Sequence, residues 1–224
     1  MMRSAILSST PSMKPFLIGI AGPSCSGKTE LARALSKWLP GGAPVVTLDS
    51  YYHPLDHLTL EERSAINFDH PRALDWARIE EDVKRLSEGQ PINEPVYLFD
   101  KHTRAAESQL VEPKRFVVVE GLFVLHSPVI RNLLSGKFFV NTPDEECYRR
   151  RLNRDTVERG RTEESICSQY IATVRPMAEA YVLPTMKFAD LVVPGNQPMA
   201  RSIELVKEHL AGCLPLTATA SAGA

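Results

Sequence analysis

Residues 16–29 read FLIGIAGPSCSGKT. The first six form an unbroken apolar run, which is how a strand reads when both faces of its sheet are covered. The next eight, Gly22-Pro23-Ser24-Cys25-Ser26-Gly27-Lys28-Thr29, fit G-x-x-x-x-G-K-[ST]. The glycines permit backbone angles that aim successive N–H groups at one phosphate. The helix that follows adds its positive N-terminal end, Lys28 reaches the terminal phosphates, and Thr29 offers a hydroxyl to magnesium. A chance match in a chain of this length arises roughly once in a hundred, and its place between an apolar strand and a helix lowers that further. The phosphate-binding set is therefore Gly22, Ser24, Cys25, Ser26, Gly27, Lys28 and Thr29, with Glu30 next in line. Cys25 reads as a bystander in a loop that works through its backbone. An acid at Glu30 suits the first helical turn, and its side chain is expected to point away from a triphosphate.

Outward from this stretch, further apolar runs alternate with helical patterns. The runs are VVTL (45–48), RFVVVE (115–120), KFFV (137–140) and DLVV (190–193). Helices are expected at Gly27–Leu39, Asp75–Ser87, Asp144–Val157, Glu163–Tyr181 and Met199–Ala211. Pro143 is a good signal for the start of the third, and Pro176 should kink or end the fourth. This alternation predicts an α/β fold of the P-loop NTPase type: a doubly wound, mostly parallel five-stranded sheet with flanking helices. Residues 89–114 interrupt the pattern; PINEPVYLF and QLVEP predict a small hairpin at about 91–113, attached to the main sheet. Residues 1–14 and 214–224 read as disordered tails around a single domain at 15–213.

Composition narrows the function. The 224 residues carry 26 Lys+Arg against 27 Asp+Glu, a net charge of -1. That balance argues against a dedicated nucleic-acid protein, which shows a basic excess over a whole domain. The four cysteines are widely spaced and form no CxxC pair or Cys/His cluster, so neither a zinc site nor a disulfide framework is expected. No apolar run reaches membrane-spanning length, and the N-terminal apolar stretch is too short for a signal peptide. The expectation is a cytoplasmic protein with no membrane partner.

Two carboxylates fall at strand ends. VVTLDSYYH leaves Asp49 at the carboxyl end of the second strand, and VVVEG leaves Glu120 at the same edge. Ligands of open α/β sheets bind outside that edge. Phosphoryl transfer needs magnesium near the transferred group and a carboxylate that accepts the acceptor hydroxyl's proton. Glu120 reads as a magnesium holder, directly or through water, and Asp49 as the base. The N-K-x-D and D-x-x-G segments of GTPases and the LSGGQ of transporter ATPases are absent, which leaves a small-molecule kinase.

The stretches GPSCSGKT, LDSYYH, NFDHPRALDW, PVYLFDKHTR, VVVEG, RRRLNRDTVERGR, SQYIATVRPM and FADLVVP occur in this order. Together they resemble the uridine–cytidine kinase family, within the phosphoribulokinase/uridine kinase group. The resemblance implies transfer of phosphate from ATP or GTP, with magnesium, to a nucleoside 5′-hydroxyl, and a homotetramer. It implies that Asp49 is the general base and, with Thr29 and Glu120, a magnesium partner. Asp69 would grip the ribose hydroxyls beside a pocket wall at Phe68. Tyr97 and His102 would contact the base with Phe99 stacked nearby. Arg151, Arg161 and Gln169 would lie on the nucleoside side, and Arg154 and Arg159 would join Lys28 at the nucleotide phosphates. The chain departs from the family at 193–199, where VPGNQPM replaces a PRG-like turn, so no nucleotide-base contact is carried over from that loop.

RRRLNRDTVERGR (149–161) holds six arginines against Asp155 and Glu158. On a helix they cannot form one patch, because only residues three or four apart share a face. Arg149 and Arg150 are read as solvent-facing, and Gly160 as the hinge of a lid at about 154–162. Two other readings remain: a kinase of another small acceptor (ribulose 5-phosphate, nicotinamide riboside, pantothenate), and a nucleotide- or RNA-binding regulator that uses the arginines electrostatically. Arg154→Ala is expected to lower kcat by at least about 10-fold, and Arg149→Ala to leave it near wild type; steady-state kinetics of the two variants checks the division.

Overall fold

The computed structural model describes residues 14–213. The expected tails, apart from Lys14, lie outside the described residues. Five strands, β1 (Phe16–Ala21), β2 (Val45–Thr47), β5 (Phe116–Glu120), β6 (Gly136–Asn141) and β7 (Leu191–Pro194), form one sheet in the order β2-β5-β1-β6-β7. All four pairings are parallel. Successive residues of each strand feed opposite cores, which is why the strands read as continuous apolar runs. Leu17, Val117, Val119 and Phe139 pack on one face with Ile79 and Val83 of α3 (Trp76–Ser87) and Ile130 of α4 (Pro128–Leu133). Ile18, Ile20, Val118 and Phe138 pack on the other with Leu31 and Leu35 of α1 (Lys28–Trp38) and Val206 and Leu210 of α8 (Met199–Cys213). Among the described residues no helix is long and apolar enough to cross a membrane.

The parallel registers decide where the site lies. Ile20 stands opposite Glu120, and Glu120 opposite Thr47. The loop after Ala21, the carboxylate of Glu120 and the turn after Thr47 therefore meet at one sheet edge. β2 is shorter than its apolar run: Leu48 already belongs to a 3-10 turn, Leu48–Tyr51, that carries Asp49. Two short helices escaped the sequence reading, α2 (Leu60–Ser64) and α4. Five or six residues carry too little periodicity, although Thr59 and Glu62 form a capping box and Ser127-Pro128 opens α4 with a side-chain cap.

Two expectations take a specific form in the structure. Of the kink or end expected at Pro176, the end does not occur. α6 (Glu163–Gln169) continues through a π turn at Tyr170–Val174, α7 (Arg175–Met177), a second π turn at Ala178–Val182 and a 3-10 turn at Leu183–Phe188. Arg175 N–H donates to Tyr170 O and Leu183 N–H to Ala178 O, both five residues back. The wider turn accommodates a ring that the α register would press against the carbonyl four residues earlier. The hairpin, β3 (Ile92–Leu98) with β4 (Thr103–Val111), shares no ladder with the main sheet. Side chains attach it instead. Glu94 accepts the Thr47 N–H at 3.0 Å, and Arg104 binds Tyr51 O at 2.8 Å and Asp75 at 3.2 Å.

Gly19 sits mid-strand on β1, where an added Cβ would press on Leu134 and meet Val124 Cγ1 at 2.9 Å. Gly19→Ala is expected to overpack this core and cost about 1–3 kcal/mol, read as a lower urea midpoint at unchanged m-value.

Candidate active site

The loop from Gly22 to Thr29 is shaped for an anion. Cys25 and Gly27 have positive φ, 61° and 99°, and Gly27 leads directly into α1. A side chain at Gly22 would meet Val140 O at 2.5 Å and Ser26 Oγ at 2.7 Å. Lys28 is buried, with Nζ 3.4 Å from Pro23 O across the loop. The hydroxyl of Ser26 is buried and has no partner. Buried hydroxyls are nearly always satisfied, so Ser26 is left with an unused donor beside the loop. A cavity of about 520 Å³ lies over the loop, lined by residues 24–31, Asp49, Arg150, Arg154 and the 195–202 segment. Glu30 does not turn wholly away from it, being exposed and yet part of the lining.

Thr29 Oγ1 donates to Glu120 Oε2 at 3.2 Å. Burial raises the Glu120 carboxyl above its usual range; Lys28 opposes the shift and the charge of Asp49 adds to it. A hydroxyl and carboxylates gathered beside a phosphate loop form a hard oxygen donor set, which fits magnesium.

Asp69 follows Phe68, a member of a cluster of rings. Phe68 and His102 stack at 5.3 Å and 16°. Tyr97 lies 5.2 Å from both Tyr52 and Phe99, and Tyr52 lies 5.1 Å from Phe68. Burial raises the Asp69 carboxyl, with Arg151 pulling it back. Tyr52 is pushed up by burial and then by the charges of Asp49 and Asp69. Tyr51, Tyr52 and His53 follow Asp49 in a loop whose sequence suits a substrate. Tyr97 is pushed up to about 12 by burial, and its hydroxyl is buried without a partner. Burial lowers His102, and the Arg159 guanidinium lowers it further. A smaller cavity of about 230 Å³ is lined by Ser24, Asp69, Asp144 and Tyr170 among others.

The arginine segment lies on α5 (Asp144–Arg159), which ends at Gly160 with φ 60°. Fully buried Asp155 organises it. Arg154 reaches this carboxylate at 2.8 Å, Arg161 at 3.4 Å, Arg151 at 3.5 Å and Arg159 at 3.7 Å. Arg151 also donates to Ser24 Oγ at 3.1 Å, and Gln169 Oε1 accepts from Arg151 at 3.1 Å and Arg161 at 2.7 Å. Arg154 lines the large cavity; Arg159 does not line it and acts on His102. Arg149 is exposed and paired with Glu146 at 2.7 Å. Arg150 is not a solvent residue. It donates to Cys25 O at 3.4 Å, Ser26 O at 3.3 Å and Gly195 O at 2.9 Å, tying the phosphate loop to the segment after β7. Its place four residues before Arg154, on one helix face, was the available signal. For Asp155 the signal was its spacing of four from both Arg151 and Arg159.

The phosphoribulokinase / uridine kinase family model matches residues 17–200. The chain belongs to this family. Among its relatives are the uridine kinases of Shewanella frigidimarina, 39% identical over 87% of this chain and 94% of that protein, and of Chloroflexus aurantiacus, 39% identical over 91% and 98%. The fold is similar to D-glycerate 3-kinase from Cryptococcus neoformans (TM-score 0.61, 16% identity, 83% of this chain and 88% of that one). It is also similar to phosphoribulokinase from Rhodobacter spheroides (TM-score 0.59, 16% identity, 83% and 74%). Family membership makes the protein a kinase, a phosphotransferase enzyme built on a P-loop.

Removing Asp155 leaves a cluster of partly buried guanidiniums without a counter-charge. Asp155→Ala is expected to cost about 3–5 kcal/mol of stability, read by urea unfolding, with Asp155→Asn intermediate.

Proposed function

We propose that the enzyme transfers the γ-phosphoryl group of ATP or GTP to the 5′-hydroxyl of uridine or cytidine. The observation that carries this reading is the position of Asp49. It lines the donor cavity over the phosphate loop, and the turn that carries it is capped by Tyr52, whose ring packs on Phe68 next to Asp69. A base between donor and acceptor is what in-line transfer requires. The names of the relatives, uridine kinases at 39% identity, support a nucleoside as acceptor.

On this reading the backbone N–H groups of residues 22–29, Lys28 and the Ser26 hydroxyl hold the donor phosphates. Asp69 accepts hydrogen bonds from the ribose diol, since a carboxylate takes two O–H donors. Phe68, Tyr97, Phe99 and His102 offer faces and polar edges to the pyrimidine. Asp49 takes the 5′-hydroxyl proton as the oxygen forms its bond to the γ-phosphorus and the bond to the leaving diphosphate breaks. Arg154 faces the charge that develops on the transferred group, and closure of the 154–162 lid excludes water. Thr29, Asp49 and Glu120 would hold magnesium, which supplies neutralisation of phosphate charge when bound. Arg151, Arg161 and Gln169 form the wall that the acceptor shares with the lid.

Asp49→Asn is expected to bind nucleotide normally and to lose 10²–10⁴-fold in kcat, the range of a general base. A coupled ADP-release assay over uridine, cytidine, purine nucleosides, nicotinamide riboside, pantothenate and ribulose 5-phosphate tests the acceptor. No acceleration by either pyrimidine nucleoside would sink the proposal.

A further inference from the structure

Glu94 is a glutamate facing inward from β3 with only 6% of its surface exposed. Its neighbours are unwelcoming to charge. Burial pushes its carboxyl up to about 7, and Asp82 on α3 and Glu120 on β5 add to the shift. The Tyr51 ring of the 3-10 turn also feels its charge, and Arg78 of α3 lies near enough to bond Asn93 O at 2.9 Å. For stability alone an apolar side chain would serve better here.

The carboxyl does make one connection that an apolar residue cannot. β2 is the edge strand of the main sheet, with β5 on one side only. Thr47 is its last residue, and the Thr47 N–H goes to Glu94 Oε1 at 3.0 Å. Glu94 therefore grips the backbone two residues before Asp49, at the entry to the 3-10 turn that carries it. The same strand, three residues on, carries Tyr97 of the ring cluster. Because the hairpin shares no ladder with the sheet, this side-chain bond is a direct tether between the turn that holds the base and the strand that holds the rings.

We propose that Glu94 is a positioning residue that fixes the Asp49 turn against the substrate hairpin, setting base and acceptor in register. It touches neither reactant. The proposal rests on the assignment of Asp49 as base and of the hairpin as acceptor wall.

Three variants test it. Glu94→Gln keeps an oxygen acceptor for Thr47 N–H and is expected to stay within about 2-fold of wild type in kcat. Glu94→Leu fills the space without an acceptor, and Glu94→Asp keeps the charge but draws the oxygen back by one methylene. Both are expected to lose about 10-fold in kcat, the effect of one buried hydrogen bond, with the Kd for Mg-ATP unchanged. A Leu variant that fails to fold leaves the Asp variant to decide. Wild-type kcat in Glu94→Asp, or a Gln variant as slow as Asp, overturns the proposal. Amide exchange supplies an arm that needs no acceptor. The Thr47–Tyr52 and Tyr97–His102 segments should lose protection together in the Asp variant and keep it in the Gln variant. Unchanged exchange in the Asp variant also overturns the tether. A wild-type enzyme that phosphorylates no nucleoside instead defeats the functional reading, and the exchange result still decides for or against Glu94.

Discussion

A parallel sheet brings every strand's carboxyl end to the same edge, and here the register of three strands places the chemistry. Ile20 opposite Glu120, and Glu120 opposite Thr47, set three different segments side by side: the phosphate loop, the Thr29–Glu120 pair and the Asp49 turn. A slip of one residue along β5 would turn Glu120 from the edge and exchange its two apolar faces. The packing of Val117 and Val119 on one side and Val118 on the other is thus what holds the carboxylate at the edge.

Much of this was legible in the chain. GPSCSGKT is a local motif whose meaning depends on a strand before it and a helix after it, and both are short-range signals. Asp49 and Glu120 were readable because a strand's last residue has a known destination in a parallel sheet. What escaped depended on tertiary packing. Arg150 read as a surface residue because charge and helical position do not reveal what lies opposite a side chain, which here is a pair of loop carbonyls. Pro176 read as a kink or a stop because the proline rule assumes the α register, and the π turns around it change the register. The hairpin's attachment to the sheet was legible, but its means, a buried glutamate rather than a ladder, was not.

The site divides its labour by element. On the proposed reading the loop and α1 hold phosphate; the strand ends carry carboxylates, the hairpin and residues 52–69 supply rings, and α5 supplies positive charge. Gln169 joins two parts of the arginine segment, since its oxygen accepts from Arg151 in mid-helix and from Arg161 beyond Gly160. A single amide so bridges the rigid and the hinged portions of the arginine segment.

One carboxylate shared among four guanidiniums has a consequence for how the site meets its ligands. Asp155 neutralises one charge and leaves its four guanidiniums with a surplus of positive charge, with Arg154 lining the cavity over the phosphate loop and Arg151 bonded to Ser24 of that loop. Those like charges repel each other, and the arrangement persists through its common anchor. An incoming polyanion relieves the repulsion as it binds, so attraction operates before contact and reaches about one Debye length, roughly 10 Å at 0.1 M salt. Ionic strength then becomes a control on the rate of capture as well as on affinity, in a protein whose overall charge is almost zero.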